Sequence, residues 1–331
     1  MTHDDPEAYV STGALPPPET VAAFVREAYD RYRSDTEGRV ATVYPALARV
    51  PPDLFGLSVA GTTGAVYSAG DAEVRFALMS VAKPFVFALV GHELGWDEAR
   101  ARVGVNATGL PFNSLEAVAR SGDGRTNPMV NPGALATTSL ARGASHEERW
   151  TWLLSGLSAF AGTPLALDDG VYESSSETNQ HNRIIAGLLA ERGRLFSDPE
   201  EALDLYTRQS SVSVCTVDLA VMGATLADGG VNPVTRERVV SETACRRTLA
   251  VMATAGLYET SGDWLYDVGL PGKSGLGGGI VTVSPGKGAL GTYGPRLDAA
   301  GNSVTGRHAA RFLSSRLGLN MFASRSEPAG G

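Results

Sequence analysis

Lysine is scarce in this chain. Of its 28 basic residues only three, Lys83, Lys273 and Lys287, are lysine, and the rest are arginine. A guanidinium keeps its proton in a protein, whereas an amine can lose it. A lysine that persists in an arginine-rich chain is therefore a candidate for proton transfer. Cysteine is scarcer still. Cys215 and Cys245 make no disulfide framework and no CxxC pair, which excludes a stapled secreted scaffold and points to the cytoplasm. No apolar run reaches 18 residues, so no bilayer-spanning helix is expected. The five histidines (His3, His92, His146, His181, His308) form no HExxH and no close pair, so neither a zinc centre nor any other cofactor is implied. Basic charge is in deficit, with a formal net charge of −8, which argues against a nucleic-acid partner. The opening MTHDDPEAYV lacks the basic and apolar blocks of a signal peptide.

What is present fits a folded globular chain. Its 331 residues are 43% hydrophobic and 19% charged, enough to bury a large core. Residues 1–18 read as a loose leader ending in three prolines. A single domain is expected over 19–322, with a helical lobe at about 84–265 and a frayed tail at 323–331. Val21, Phe24, Val25, Ala28, Tyr29 and Tyr32 recur at helical spacing over 19–33. FGLSVAG (55–61) and AVYSAGD (65–71) flank a Thr-Thr-Gly turn and predict a β-hairpin; RFALMS (75–80) reads as a third short strand. A buried helix is expected from Val81 to Leu94, with Pro84 tolerated in its first turn. Residues 100–135, rich in Gly, Pro and Asn, read as ordered loop. Helical patterns follow at 147–160, 181–192, 198–208, 217–227 and 241–255. A second hairpin (277–285, 288–295) and a closing helix (303–317) complete the chain. The two strand groups can pair into one antiparallel sheet covered by the terminal helices, an α/β (α+β) arrangement with the helical middle as a second lobe.

Ser80-Val81-Ala82-Lys83 is the first motif with chemistry. Positions i and i+3 at a helix start share a face, so the amine reaches the hydroxyl. Burial that strips the lysine of its proton makes it a base and the serine a nucleophile. A chance S-x-x-K is expected in roughly a quarter of chains of this composition, and Ser80 could equally be a helix cap. The second motif is Lys273-Ser274-Gly275. Penicillin-recognising serine enzymes pair S-x-x-K with a late K-[ST]-G on an edge strand, where the glycine lets substrate lie against the strand. A phosphate loop fails here, because Asp267 stands where its first glycine is required. No G-x-S-x-G elbow is present, and Asp168-Asp169 reads as a solvated turn.

Further blocks carry a family likeness over roughly residues 20 to 320. They are YPALA (44–48), AGD (69–71), RFALMSVAK, GLPFNS (109–114), NPMVNPGA (127–134), ADGGVNP (227–233), MATAGLY (252–258), VGLPGKSGLGGGI (268–280) and Leu297-Asp298 with Gly301-Asn302-Ser303. The chain resembles the serine-dependent glutaminases, which share the fold of β-lactamases and penicillin-binding proteins. The resemblance implies an amidohydrolase that splits the side-chain amide of L-glutamine through an acyl-enzyme. It makes Ser80 the nucleophile, Lys83 its base, Tyr206 a proton shuttle and Tyr258 a second tyrosine at the substrate. It gives the oxyanion to the backbone N–H groups of Ser80 and Leu276, and the substrate's carboxylate and amine to Asn131 and Asn182. Lys273 becomes a positive charge that lowers the pKa of Lys83. A homodimer or homotetramer is also implied.

Departures from the family pattern fall on the amino-acid pocket. The family's glutamate seven residues before the matched asparagine pairs with the substrate ammonium; here Ser175 stands there, with Glu173 and Glu177 out of register. Val43 replaces a tyrosine that moves to Tyr44. Met79 replaces glutamine, His181 replaces arginine, and Gln209-Ser210 replaces Tyr-Cys. Three expectations follow: a glutaminase whose ammonium contact has moved; the same chemistry, as amidohydrolase or acyltransferase, on another amide or ester; or a binding protein that kept the fold. Intact Ser80, Lys83, Tyr206 and Lys273 favour an enzyme.

Overall fold

The computed structural model describes residues 13–324. Most of the expected leader (1–12) and tail (325–331) lies outside the described residues. Five strands form one antiparallel sheet in the order Val66–Gly70, Gly56–Gly61, Gly288–Tyr293, Gly279–Ser284, Gly272–Ser274. The two strand groups, far apart in sequence, thus meet at Gly56–Gly61 beside Gly288–Tyr293, with Val59 opposite Leu290. Period-two alternation sends neighbouring side chains to opposite faces. Ile280 and Leu290 join Val21, Val25 and Leu313 in a core under the terminal helices Pro18–Tyr32 and Val304–Arg316. Val281 and Val283 point the other way, onto helix Thr216–Ala227, where Gly223 brings that helix down on the sheet.

The second lobe is helical and is organised around Ala82–Leu94. Every residue from Ala82 to Gly91 is buried, so this helix is apolar all round rather than striped, as a central helix must be. A three-stranded sheet of Phe76–Ala77, Val212–Val214 and Ala166–Leu167 links the lobes. Of RFALMS only Phe76–Ala77 is strand, paired with residues 213–214 rather than with the hairpin, and Met79 and Ser80 belong to a 3₁₀ turn. This pairing continues as Leu78 N–H donating to Val212 O at 2.9 Å, which fixes the turn bearing Ser80 against the end of helix Pro199–Ser210.

Two local expectations need correction. Residues 100–135 hold more helix than their Gly, Pro and Asn content implied: Trp96–Val103 runs into the segment, Leu115–Arg120 lies within it, and Asn131–Thr138 starts at its end. The last is buried along its whole length, so tertiary burial overrides weak propensity. Asp168-Asp169 is not a free turn. The Asp168 carboxylate accepts from Val171 N–H at 3.0 Å and caps helix Asp169–Glu177.

Gly291 tests the packing of helix on sheet. A Cβ there would sit 2.4 Å from Thr216 O and 2.7 Å from Ala220 N, both rigid backbone. Gly291→Ala is expected to cost about 1–3 kcal/mol by overpacking. It should appear as a lower denaturation midpoint at unchanged slope, and an unchanged midpoint would refute the tight contact.

Candidate active site

Ser80 sits on a short 3₁₀ turn, Met79–Val81, that feeds directly into helix Ala82–Leu94. Met79 holds a φ of 48°, a left-handed conformation uncommon outside glycine. Such strain persists where the surroundings over-determine it, and it often marks sites that must present a side chain. Met79 is clamped by Leu47, Ala77 and the half-buried Leu276. Gly275 packs on the same turn, where a Cβ would lie 3.2 Å from Ser80 N, so the end of the strand bearing Lys273, and the turn after it that bears Leu276, run beside the serine.

Both motif lysines are buried, Lys83 at 2% exposure and Lys273 at 0%. Lys83 Nζ donates to Asn131 Oδ1 at 2.7 Å and to Met129 O at 3.4 Å. Lys273 Nζ donates to Ser274 O at 2.6 Å and lies 4.2 Å from the centre of the Tyr258 ring. Among the described residues neither meets a carboxylate. Burial lowers the pKa of Lys83 to about 7. Burial also holds Lys273 well below its ordinary value, with repulsion from Lys83 adding to it. Desolvation is the cause that depresses Lys83, and the same burial drives Lys273 toward the neutral amine.

Tyrosines close the site. Tyr206 on helix Pro199–Ser210 donates to Asn131 Oδ1 at 3.1 Å. Tyr258, with a φ of 60°, donates to Ser274 O at 3.2 Å and packs against Phe112. Burial raises both phenols, Tyr258 to about 12 and Tyr206 well above its ordinary value, while the Ser80 hydroxyl beside each opposes that rise. Both are therefore hydrogen donors at neutral pH. Ser274 Oγ in turn donates to Asn302 at 2.5 Å, which anchors the strand end.

The fold brings Ser80, Lys83, Tyr206, Lys273, Asn131, Asn182, Tyr258 and Leu276 together around one turn. Asn131 Nδ2 donates to Asn182 Oδ1 at 2.9 Å, so the two matched asparagines form one unit. Ser175 is 3% exposed and its hydroxyl has no hydrogen-bond partner among the described residues. Glu173 and Glu177 are exposed, so neither supplies a buried carboxylate. Sequence reasoning missed Asn179 and Thr207, which extend the asparagine unit, and gave Tyr44 no role, although it lies close enough to Tyr206 that ionisation of the one would oppose ionisation of the other. Its place as the first residue of the matched YPALA block was the available signal for Tyr44. The other two gave none, because the Asn179–Thr207 bond joins two different helices.

An antiparallel sheet under two terminal helices, with a buried serine and lysine on the helix that joins it to a helical lobe, is the β-lactamase-like fold. A family model described as glutaminase matches residues 38–322. Glutaminase 2 of Yersinia pestis is 62% identical over 316 residues, covering 96% of this chain and 93% of that protein. A glutaminase of Colwellia psychrerythraea is 44% identical, covering 93% and 99%. The solved structure of the probable glutaminase ybaS superposes with a TM-score of 0.92 at 43% identity, over 93% of this chain and 100% of that one. Mglu in its glutamate form gives 0.88 at 36% identity, over 92% and 70%. The chain belongs to the glutaminase family.

Holding Lys83 with a pKa near 7 instead of 10.5 costs on the order of 4 kcal/mol at neutral pH. Lys83→Met removes that cost and leaves Tyr206 to satisfy Asn131. It is expected to stabilise the fold by about 1–3 kcal/mol at pH 6. The gain should shrink as pH rises from about 7 toward the ordinary lysine value, because in that window the unfolded wild-type lysine binds a proton that the folded one does not, so raising the pH stabilises the wild type. Denaturant unfolding at pH 6 and pH 9 measures this, and a gain that grew with pH would contradict the burial argument.

Proposed function

We propose that this protein is a cytoplasmic glutaminase, acting as a homodimer or homotetramer, that hydrolyses the side-chain amide of L-glutamine to L-glutamate and ammonia by a Ser80–Lys83 acyl-enzyme route. The observation that carries the reading is a lysine with no counter-ion and a pKa of about 7 one turn beyond a buried serine. A base poised near the working pH has both the right protonation state and adequate driving force.

The steps follow from the groups present. Neutral Lys83 takes the Ser80 proton as Oγ attacks the amide carbon. The oxyanion rests on the N–H groups of Ser80 and Leu276, each such donor contributing about 2.7–4 kcal/mol to a transition state of this kind. The carbon–nitrogen bond then breaks. The proton held by Lys83 passes through the Tyr206 hydroxyl to the departing nitrogen, which leaves as ammonia. A water gives a proton back along the same path, attacks the ester, and releases glutamate and Ser80. Asn131 and Asn182 hold the amino-acid end of the substrate. Lys273, Ser274 and Tyr258 form the wall on the strand side.

A second reading, the same chemistry on an amide without a free α-ammonium, is favoured by Ser175. A buried hydroxyl with no partner stands where the family resemblance leads one to expect a glutamate, and a hydroxyl carries no charge to pair with an ammonium. The carboxylates nearest Tyr258 do not fill the role: Glu259 is exposed, and Asp298 accepts from Ala300 N–H and Asn302 N–H. The two readings separate on ammonia release from L-glutamine against Nα-acetyl-L-glutamine. A kcat/KM higher for glutamine by tenfold or more selects the first, and the reverse order selects the second.

Ser80→Ala is expected to abolish ammonia release in a folded protein, and retention of more than about a tenth of the rate would sink the nucleophile assignment. Lys83→Arg should be nearly as damaging, since arginine cannot give up its proton. The wild-type kcat/KM should rise with pH through about 7, because Lys83 must be neutral to act, and fall about tenfold per pH unit well below it.

A further inference from the structure

Lys83 is the first link of a buried chain of side chains that all point the same way. Asn131 Oδ1 accepts from both Lys83 and Tyr206, so Asn131 Nδ2 has to donate outward, and it does, to Asn182 Oδ1 at 2.9 Å. Asn182 Nδ2 donates to Asn179 Oδ1 at 2.7 Å. Asn179 Nδ2 donates to Thr207 Oγ1 at 2.7 Å, and the Thr207 hydroxyl donates to Leu203 O at 2.8 Å. All four residues are more than nine-tenths buried. The Leu203 carbonyl can only accept, so the polarity of the whole chain is set from that end. Reversing any one amide would set N–H against N–H or oxygen against oxygen at a buried position, where little solvent is on hand to compensate.

Asn179 gives up a local role to take part. It is the N-cap residue of helix Gln180–Glu191, a position asparagine ordinarily serves by accepting from the helix's first N–H groups. Its side chain makes no such bond and reaches instead across to the helix that carries Tyr206.

We propose that Asn179 and Thr207 are positioning residues that fix the orientation of the Asn131 amide, and through it the direction of the Lys83 lone pair. A neutral amine has two N–H bonds and one lone pair. Asn131 Oδ1 and Met129 O take the two N–H bonds, which leaves the lone pair for the serine proton. An Asn131 turned over would present an N–H to the amine, occupy that lone pair and disfavour the protonated form. The other groups facing Lys83 are Lys273 from the edge strand and Tyr206, whose ring centre lies 5.8 Å from Nζ. Neither can substitute for the acceptor that the chain supplies. The inference rests on the reading of Lys83 as the base.

Thr207→Val, nearly the same size, removes the terminal acceptor, and Asn179→Leu removes the middle link. Each is expected to lower kcat by about ten- to a hundredfold and to move the acid limb of kcat/KM to lower pH. Thr207→Ser, which keeps the hydroxyl, should restore both. The double variant should lose little more than either single one, since both act through one chain. Limbs that stay in place, or equal damage from valine and serine at 207, would overturn the proposal. In the wild-type enzyme, NMR of Asn side-chain amides gives a test that needs no variant. The Asn131, Asn182 and Asn179 signals should titrate together with Lys83, and a response confined to Asn131 would refute the relay. An active Lys83→Arg enzyme would instead show that the base assignment, and not the relay, is at fault.

Discussion

Two amines are buried with no counter-ion among the described residues, and much else in the molecule is arranged around that fact. Burying one of them near neutrality costs on the order of 4 kcal/mol, about what two fully buried aliphatic side chains return. The central helix supplies more than that: Phe85, Val86, Phe87, Leu89 and Val90 are all buried along it. Apolar packing at one end of the helix thus offsets an unfavourable amine at the other. On the proposed reading of Lys83 as the base, that cost serves the function, because desolvation turns a lysine into a base at neutral pH without a second permanent charge.

Position follows from connections between the lobes. The sheet fixes Lys273, the turn between its last two strands carries Leu276, the 3₁₀ turn fixes Ser80, and the small three-stranded sheet ties that turn to the helix bearing Tyr206. Each contributor belongs to an element buried on several sides. The positive φ at Met79 and at Tyr258 fits the same picture, since strained backbone survives only where packing leaves no alternative.

The chemistry of the site was legible before the fold. Ser80, Lys83, Lys273 and Ser274 sit in short motifs whose spacing has a physical reason, and an arginine bias elsewhere made the lysines stand out. The sheet was legible too, because two hairpins with alternating patterns had only each other to pair with. The amide relay was not. Asn131, Asn182, Asn179 and Thr207 come from three helices, and an asparagine near a helix start reads as a cap whichever way its side chain turns. The helix at Asn131–Thr138 was hidden for a related reason, since burial and not propensity holds it.

Lys287 sharpens the argument from scarcity. It is the one lysine of the three that is not deeply buried, and it donates to Gly318 O at 2.8 Å as a surface cation would. Arginine could serve in its place. It could not serve at Lys83 or Lys273, where a group fixed in its charged form would add a buried, unpaired cation costing several kcal/mol. Scarcity alone therefore does not mark a functional lysine. Scarcity together with burial away from carboxylates does, because it selects the amine that, unlike a guanidinium, can be present there without its charge.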